Sequence, residues 1–456
     1  MSVKTTDFIK GDMTTSVIRF AFPLLCANLV QLLYSAADAL FAGNMVGTAG
    51  IAAIGASSLV VTCVISFLAG FSVGVNVLVA SKFGAQDTEA LNRAFSISML
   101  LALLLGVLFC IAGIAWSDEL INLMAVPASV RADALSYVRI YFCSLPFIAL
   151  YDNVASCLRG VGDSKTPLYA QIVGGIVNVA LDAYALGVLD LGIDGVAWAS
   201  CFSQGVAFLI AHFRARKLLE WHFSGSSPRS IFKIVRSIFA VGFPVAIQAL
   251  CVTLSNTLIQ MAINATGETN VAAFTAYFKI EMLIYAPLVA LGQTTTVLAA
   301  QNIGAQHHWR VHLGVRRCIL FGTIFAAIAA ALLLVFRFPV VALFDQNAEV
   351  VAAGGLVMMT TFPFYWIYTF IEVYAGVCRG IGKAKEATMI SLLCFVAMRL
   401  ALLTLAQHLG FGLRGIAAIY PMTWVSTALL LGIYYYKFAH KKLHPAPHKQ
   451  RVVSSE

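Results

Sequence analysis

Twelve apolar stretches, each long enough to cross a bilayer, run along this chain in two sets of six. The first set lies at 15–43, 51–80, 94–116, 132–158, 166–188 and 195–213. The second lies at 236–263, 271–300, 315–336, 350–378, 387–409 and 415–436. A helix of ~20 apolar residues crosses the hydrocarbon core, whereas open strands and loops there leave backbone groups unpaired. The pattern therefore specifies an all-α membrane protein with twelve transmembrane helices. Composition agrees: 60% of the 456 residues are apolar and 11% are charged, against ~25% charged in a soluble domain. A soluble enzyme, a disordered chain and a nucleic-acid-binding domain all fit poorly.

The two sets repeat each other. Val79-Ala80-Ser81-Lys82-Phe83-Gly84-Ala85-Gln86 returns as Ala299-Ala300-Gln301-Asn302-Ile303-Gly304-Ala305-Gln306, and Leu158-Arg159-Gly160-Val161-Gly162 returns as Cys378-Arg379-Gly380-Ile381-Gly382. Both pairs, and Gly192 and Gly195 with Gly412 and Gly415, share an offset of 220 positions. An even number of helices per half gives both halves the same orientation, hence a pseudo-twofold axis along the membrane normal. The expected architecture is two pseudo-symmetric six-helix bundles facing each other across a central cavity. Its divisions are an N-terminus (1–14), a first lobe (15–213), a linker (214–235), a second lobe (236–437) and a tail (438–456).

Charge placement sets the orientation. Of 30 Lys and Arg residues, 24 fall in the N-terminus, the loops after even-numbered stretches and the tail. Arg131, Arg337 and Arg414 lie on the other side, and Arg139, Lys279 and Arg399 within stretches. By the positive-inside rule both termini are cytoplasmic, in a multi-pass protein of the plasma or inner membrane. The net charge of +9 reflects that topology rather than a polyanionic partner.

Five acids fall inside the stretches: Asp38, Asp152, Asp182, Glu281 and Glu372. A charge near the bilayer centre costs at least ~2.5–3.5 kcal/mol, so each needs a partner, a wet cavity or a proton. Asp38 lies ~28 Å of helix beyond Arg19 and Asp182 ~26 Å beyond Lys165, which puts both in the outer half of the first lobe. Asn178 is one turn from Asp182 on the same face. These three supply hard oxygens for a sodium-sized ion, or two carboxylates that share a proton. Neither Asp has an acidic counterpart in the second half, where Leu258-Ile259 and Leu402 stand.

Asp152 and Glu372 are repeat equivalents, each seven residues before an arginine, Arg159 or Arg379. Near the cytoplasmic end they read as a structural or inner-gate charge network in preference to a substrate contact. Glu281 lies about 20 Å beyond Glu268, near the midplane, flanked by Tyr277 and Tyr285 at i−4 and i+4. Such a carboxylate suits an organic cation, and an internal pair with Arg399 is the competing reading.

Two other patterns lead nowhere. Tyr151-Asp152 and Gly160-Val161-Gly162-Asp163 imitate intramembrane aspartyl proteases, but eleven residues of helix put the acids ~16 Å apart. His440, His444 and His448 have metal-like spacing, but Pro445 and Pro447 break any helix there. Ten single cysteines without a C-x-x-C pair support neither zinc nor a disulfide framework. No metal, no cofactor, no enzymatic activity and no obligate protein partner is expected.

The repeat, the Gly-Ala-Gln runs and Leu158-Arg159-Gly160-Val161-Gly162-Asp163-Ser164-Lys165-Thr166-Pro167 resemble the MATE (multidrug and toxic compound extrusion) family, as do Gln31, Tyr34, Asp38 and the segment from Asn178 to Asp182. The resemblance covers residues 12–438. It implies two six-helix lobes that export amphipathic or cationic small molecules in exchange for inward sodium or protons. It also implies that acids in the first and fifth helices, here Asp38 and Asp182, couple that flow. Gln31, Tyr34, Tyr277 and Glu281 are the candidate substrate contacts. Some branches of the family carry an acid in helix 7, and none occurs here between Arg236 and Asn264. The competing function is a lipid-linked-precursor flippase, which three basic residues within stretches, against five acids, disfavour.

Overall fold

A computed structural model describes residues 6–41, 48–124, 126, 128–222 and 227–439, with the side chains of residues 34–40, 48–60, 438 and 439 outside that description. Among the described residues every regular element is helical. The spanning helices are α1 (Met13–Phe41), α2 (Thr48–Gly84), α3 (Thr88–Ala115), α4 (Arg131–Gly160), α5 (Lys165–Gly187), α6 (Gly192–Ala215), α7 (Pro228–Asn264), α8 (Glu268–Gly304), α9 (His308–Val335), α10 (Ala348–Gly380), α11 (Ala384–His408) and α12 (Gly412–Lys437). Short helices Ser117–Leu123 and Arg337–Ala342, again 220 positions apart, follow α3 and α9. Twelve spans in two similar halves make this a multi-pass membrane protein of the expected fold class.

Local chemistry sets the helix ends. Ser227 accepts the Ser230 N–H and Pro228 supplies the first helical residue, so α7 starts inside the stretch read as linker. The Gly-Ala-Gln runs end α2 and α8. Gln86 and Gln306 take left-handed φ values of 55° and 61°, which let Asp87 N–H reach the Lys82 carbonyl and His307 N–H the Asn302 carbonyl. Asp12 accepts both the backbone N–H of Thr15 at 2.8 Å and its hydroxyl at 2.9 Å. That backbone hydrogen bond above all holds the Asp12 carboxyl below the usual carboxylate range.

Each lobe has its own apolar core, but the first helix of each half crosses into the other lobe. Met13, Val17, Phe20 and Leu24 of α1 are buried in the second-lobe core, while Ile238 of α7 is buried in the first. Glycines allow these crossings. A Cβ on Gly74 would strike the Ile238 carbonyl oxygen, and one on Gly70 would lie 2.6 Å from Ala246. At the face bearing the N-terminus, α2 and α8 meet so closely that a Cβ on Gly84 would strike the Gln301 carbonyl oxygen. One on Gly304 would strike that of Ser81. On this face the segment before α1 lies between the lobes, with Phe8 fully buried. Thr6 N–H donates to the Gly162 carbonyl at 2.8 Å, Gln301 bridges Phe8 and Gly160, and Asn302 and Arg310 donate to the Phe8 carbonyl.

Candidate functional site

The second lobe holds a cavity of about 390 Å³ among α7, α8, α10, α11 and α12. That is within the ~300–1,000 Å³ range of small-molecule sites. Two backbone irregularities build its walls. Pro363 breaks α10 in a 3-10 turn at Phe362–Phe364, and the helix restarts at Tyr365. From there Tyr365, Tyr368 and Glu372 follow one another along one face and line the cavity. In α11 a π-helical stretch, Leu393–Met398, brings Phe395 and Arg399 to the same space, and Ser255 Oγ donates to the Phe395 carbonyl at 2.7 Å. Trp424 closes the aromatic wall, 4.9 Å from the Tyr365 ring and 5.7 Å from that of Tyr368.

The cavity carries charge of both signs. Glu281 is 8% exposed and accepts a hydrogen bond from the Tyr365 hydroxyl at 2.9 Å. Glu372 pairs with Arg379 at 3.8 Å. Room for Glu372 comes from Gly292 of α8, where any Cβ would meet the Glu372 carboxylate. Arg399 is 3% exposed, donates to Asn256 Oδ1 at 2.7 Å, and lies 4.9 Å from the Tyr420 ring centre and 5.1 Å from that of Phe395. Among the described residues no ion pair joins Arg399 to Glu281 within 4.0 Å, so their internal pair is not made at contact distance.

In the first lobe, α5 buries Asn178 and Asp182 on one face, 1% and 0% exposed. Asn178 borders a narrow gap with Gln171, Ser203 and Gln204, and its amide has no hydrogen-bond partner among the described residues. The helix α1 packs against α5. The side chains of Asp38 and Tyr34, which belong to that helix, lie outside the described residues. Gln31 is exposed and lines neither cavity.

The expected symmetric charge network occurs in one copy. Glu372 and Arg379 pair, whereas Arg159 donates to Ser156 Oγ at 3.0 Å and makes no ion pair with Asp152 within 4.0 Å. The second-lobe pair also lines the cavity. Tyr277, expected as a substrate contact, sits apart from the cavity. It is fully buried between Phe274 and Phe362, with ring centres 5.3 and 5.6 Å away, and is not part of the cavity wall. The residues missed are Tyr365, Tyr368, Asn256, Tyr420 and Trp424. A signal existed for two of them: Tyr365 and Tyr368 share a helical face with Glu372, directly after a proline break.

The MatE family profile matches residues 23–184 and 244–403. The probable multidrug resistance protein YoeA of Bacillus subtilis is 27% identical over 442 residues, 95% of each chain. The probable multidrug resistance protein NorM of Thermotoga maritima is 23% identical over 429 residues, 92% of each chain. Among solved structures, the outward-facing conformation of a multidrug resistance MATE family transporter of the MOP superfamily superposes with a TM-score of 0.90 at 23% identity, over 97% of this chain and 99% of that one. A MOP superfamily transporter from Pyrococcus furiosus, described by the reverse polarity of its binding pocket, superposes with a TM-score of 0.87 at 22% identity, over 97% and 98%.

Proposed function

Because the chain belongs to the MatE family of membrane transporters, we propose that it is a secondary antiporter that exports amphipathic, cationic small molecules in exchange for inward sodium or protons. The observation that carries this reading is the second-lobe cavity, with its aromatic wall and two carboxylates, Glu281 and Glu372. Aromatic faces and a carboxylate in low dielectric attract an organic cation. The names of the similar multidrug resistance proteins agree with such cargo.

Coupling is assigned to the first lobe. Buried Asp182 with the unspent amide of Asn178 supplies oxygens for a sodium ion, or a carboxylate for a proton, and Asp38 is proposed as their partner from α1. The basic face is the cytoplasmic one by its Lys and Arg content. There the α2–α8 glycine contact and the buried Phe8 keep the lobes together, which suits a state closed to the cytoplasm. Alternating access then means parting the lobes at that face. Arg379 and Arg399 in the cavity favour one other reading, a flippase for an anionic lipid headgroup.

The test is tetraphenylphosphonium export from proteoliposomes under separately imposed sodium and proton gradients. Wild type is expected to follow one gradient, and Asp182→Asn to lose gradient-driven export while still binding the cation. Full export by Asp182→Asn removes the coupling assignment. Movement of a fluorescent lipid diphosphate, with none of tetraphenylphosphonium, selects the flippase.

A further inference from the structure

We propose that Arg399 receives an anionic group of the cargo, so that the second-lobe cavity selects zwitterionic aromatic amphiphiles over plain cations. The inference rests on the export reading and narrows its substrate class.

A guanidinium buried in a membrane protein is costly unless paired. Arg399 is 3% exposed, yet among the described residues Nη1 donates only to the neutral Asn256 oxygen and Nε has no hydrogen-bond partner. Its other neighbours are the ring faces of Phe395 and Tyr420, which stabilise a cation but accept no in-plane hydrogen bond. Among the described residues neither carboxylate of the same cavity contacts Arg399 within 4.0 Å: Glu281 accepts from Tyr365 and Glu372 pairs with Arg379. A guanidinium edge therefore lines the cavity with donors to spare, in the planar fork that matches a carboxylate.

The backbone supplies a second, independent observation. The π-helical stretch Leu393–Met398 that delivers Arg399 has no counterpart at the repeat-equivalent positions 173–178, which lie in regular helix. Arg399 itself stands where the first lobe has Val179, next to Asn178. The second lobe has Met398 and Leu402 where the first has Asn178 and Asp182, and carries a basic residue one position after Met398. With two carboxylates and two guanidiniums lining the cavity, a molecule with both signs meets a partner for each, whereas a plain cation uses only the carboxylates.

Rhodamine B, a zwitterion with a free carboxylate, and rhodamine 6G, whose carboxyl is esterified, separate the two cases on one ring system. Equilibrium binding to the purified full-length protein, read by fluorescence anisotropy, is independent of transport. Wild type is expected to bind rhodamine B about tenfold tighter, and Arg399→Met to lose about tenfold on rhodamine B while changing rhodamine 6G by less than about twofold. Equal binding of the two dyes by wild type overturns the proposal without any variant. Equal losses on both dyes in Arg399→Met overturn it too, as the mark of a structural role. Arg399→Lys, which keeps the charge but not the fork, is expected to recover part of the rhodamine B affinity, and no recovery counts against the proposal. Export is read separately: if neither dye is moved under any gradient, the antiport reading fails, whatever the binding ratio.

Discussion

At the scale of single residues, Glu281 separates what a linear sequence states from what packing decides. Its distance along the helix was legible, because a helix rises by a fixed amount per residue and Glu268 marks the start of α8. Its surroundings were legible in part. Residues four before and four after it stand about 40° to either side of it around the helix. Tyr285 thereby turns into the cavity and Tyr277 into the packed core against Phe362. The remaining aromatic wall comes from α10 and α12, and no spacing within α8 announces it. Glu281→Gln keeps the size of the side chain and an oxygen for the Tyr365 hydroxyl while removing the charge. Tetraphenylphosphonium is expected to bind this variant about tenfold more weakly by isothermal titration calorimetry, the order given by losing a desolvated cation's charge partner. An unchanged affinity would place Glu281 outside the cargo site.

At the scale of helices, the 220-residue offset revealed which segments correspond but not why the Gly-Ala-Gln runs recur. The reason is a crossing: α2 and α8 approach with backbone against backbone at Gly84 and Gly304. Sequence shows two glycines at helix ends, where a left-handed cap is the obvious explanation, yet the left-handed residues are Gln86 and Gln306. An added methyl at either glycine meets a carbonyl oxygen rather than a side chain, so the helices themselves must move apart. Such overpacking costs ~1–3 kcal/mol, and it falls on the state in which the lobes touch at this face. Gly84→Ala and Gly304→Ala are each expected to speed hydrogen exchange of the N-terminal segment by about fivefold or more, through a population shift toward the open face. Exchange at the wild-type rate in both variants would show that the crossing does not hold that face closed.

At the scale of the whole molecule, the lobes are repeats, but what fastens them together is not. Residues 6–12 are bonded to both lobes, through Gly162 on one side and Gln301, Asn302 and Arg310 on the other, and Gln301 also donates to the Gly160 carbonyl. The pseudo-twofold partner of this arrangement is missing its parts: Gln301 corresponds to Ser81 and Arg310 to Ala90. A Cβ on Gly162 would strike the Thr6 carbonyl oxygen, while one on its equivalent Gly382 would meet no described atom within 4 Å. None of this was legible in a polar N-terminus, since the bonds run to the backbone of Thr6, Phe8 and Gly11 and depend little on what those residues are. Only Phe8, an isolated aromatic among polar residues, hinted at burial. Because the segment touches both lobes, it must let go of one of them whenever they part at this face. Arg310 is 8% exposed and donates to the carbonyls of Phe8 and Gly11, both at 3.0 Å. Charge-assisted hydrogen bonds of this kind contribute ~1.5–3 kcal/mol. In a cysteine-free background, a maleimide should label Phe8→Cys slowly, and about tenfold faster once Arg310→Met is added. The same rate with and without Arg310 would mean that the bonds to Gly162, Gln301 and Asn302 hold the segment without Arg310.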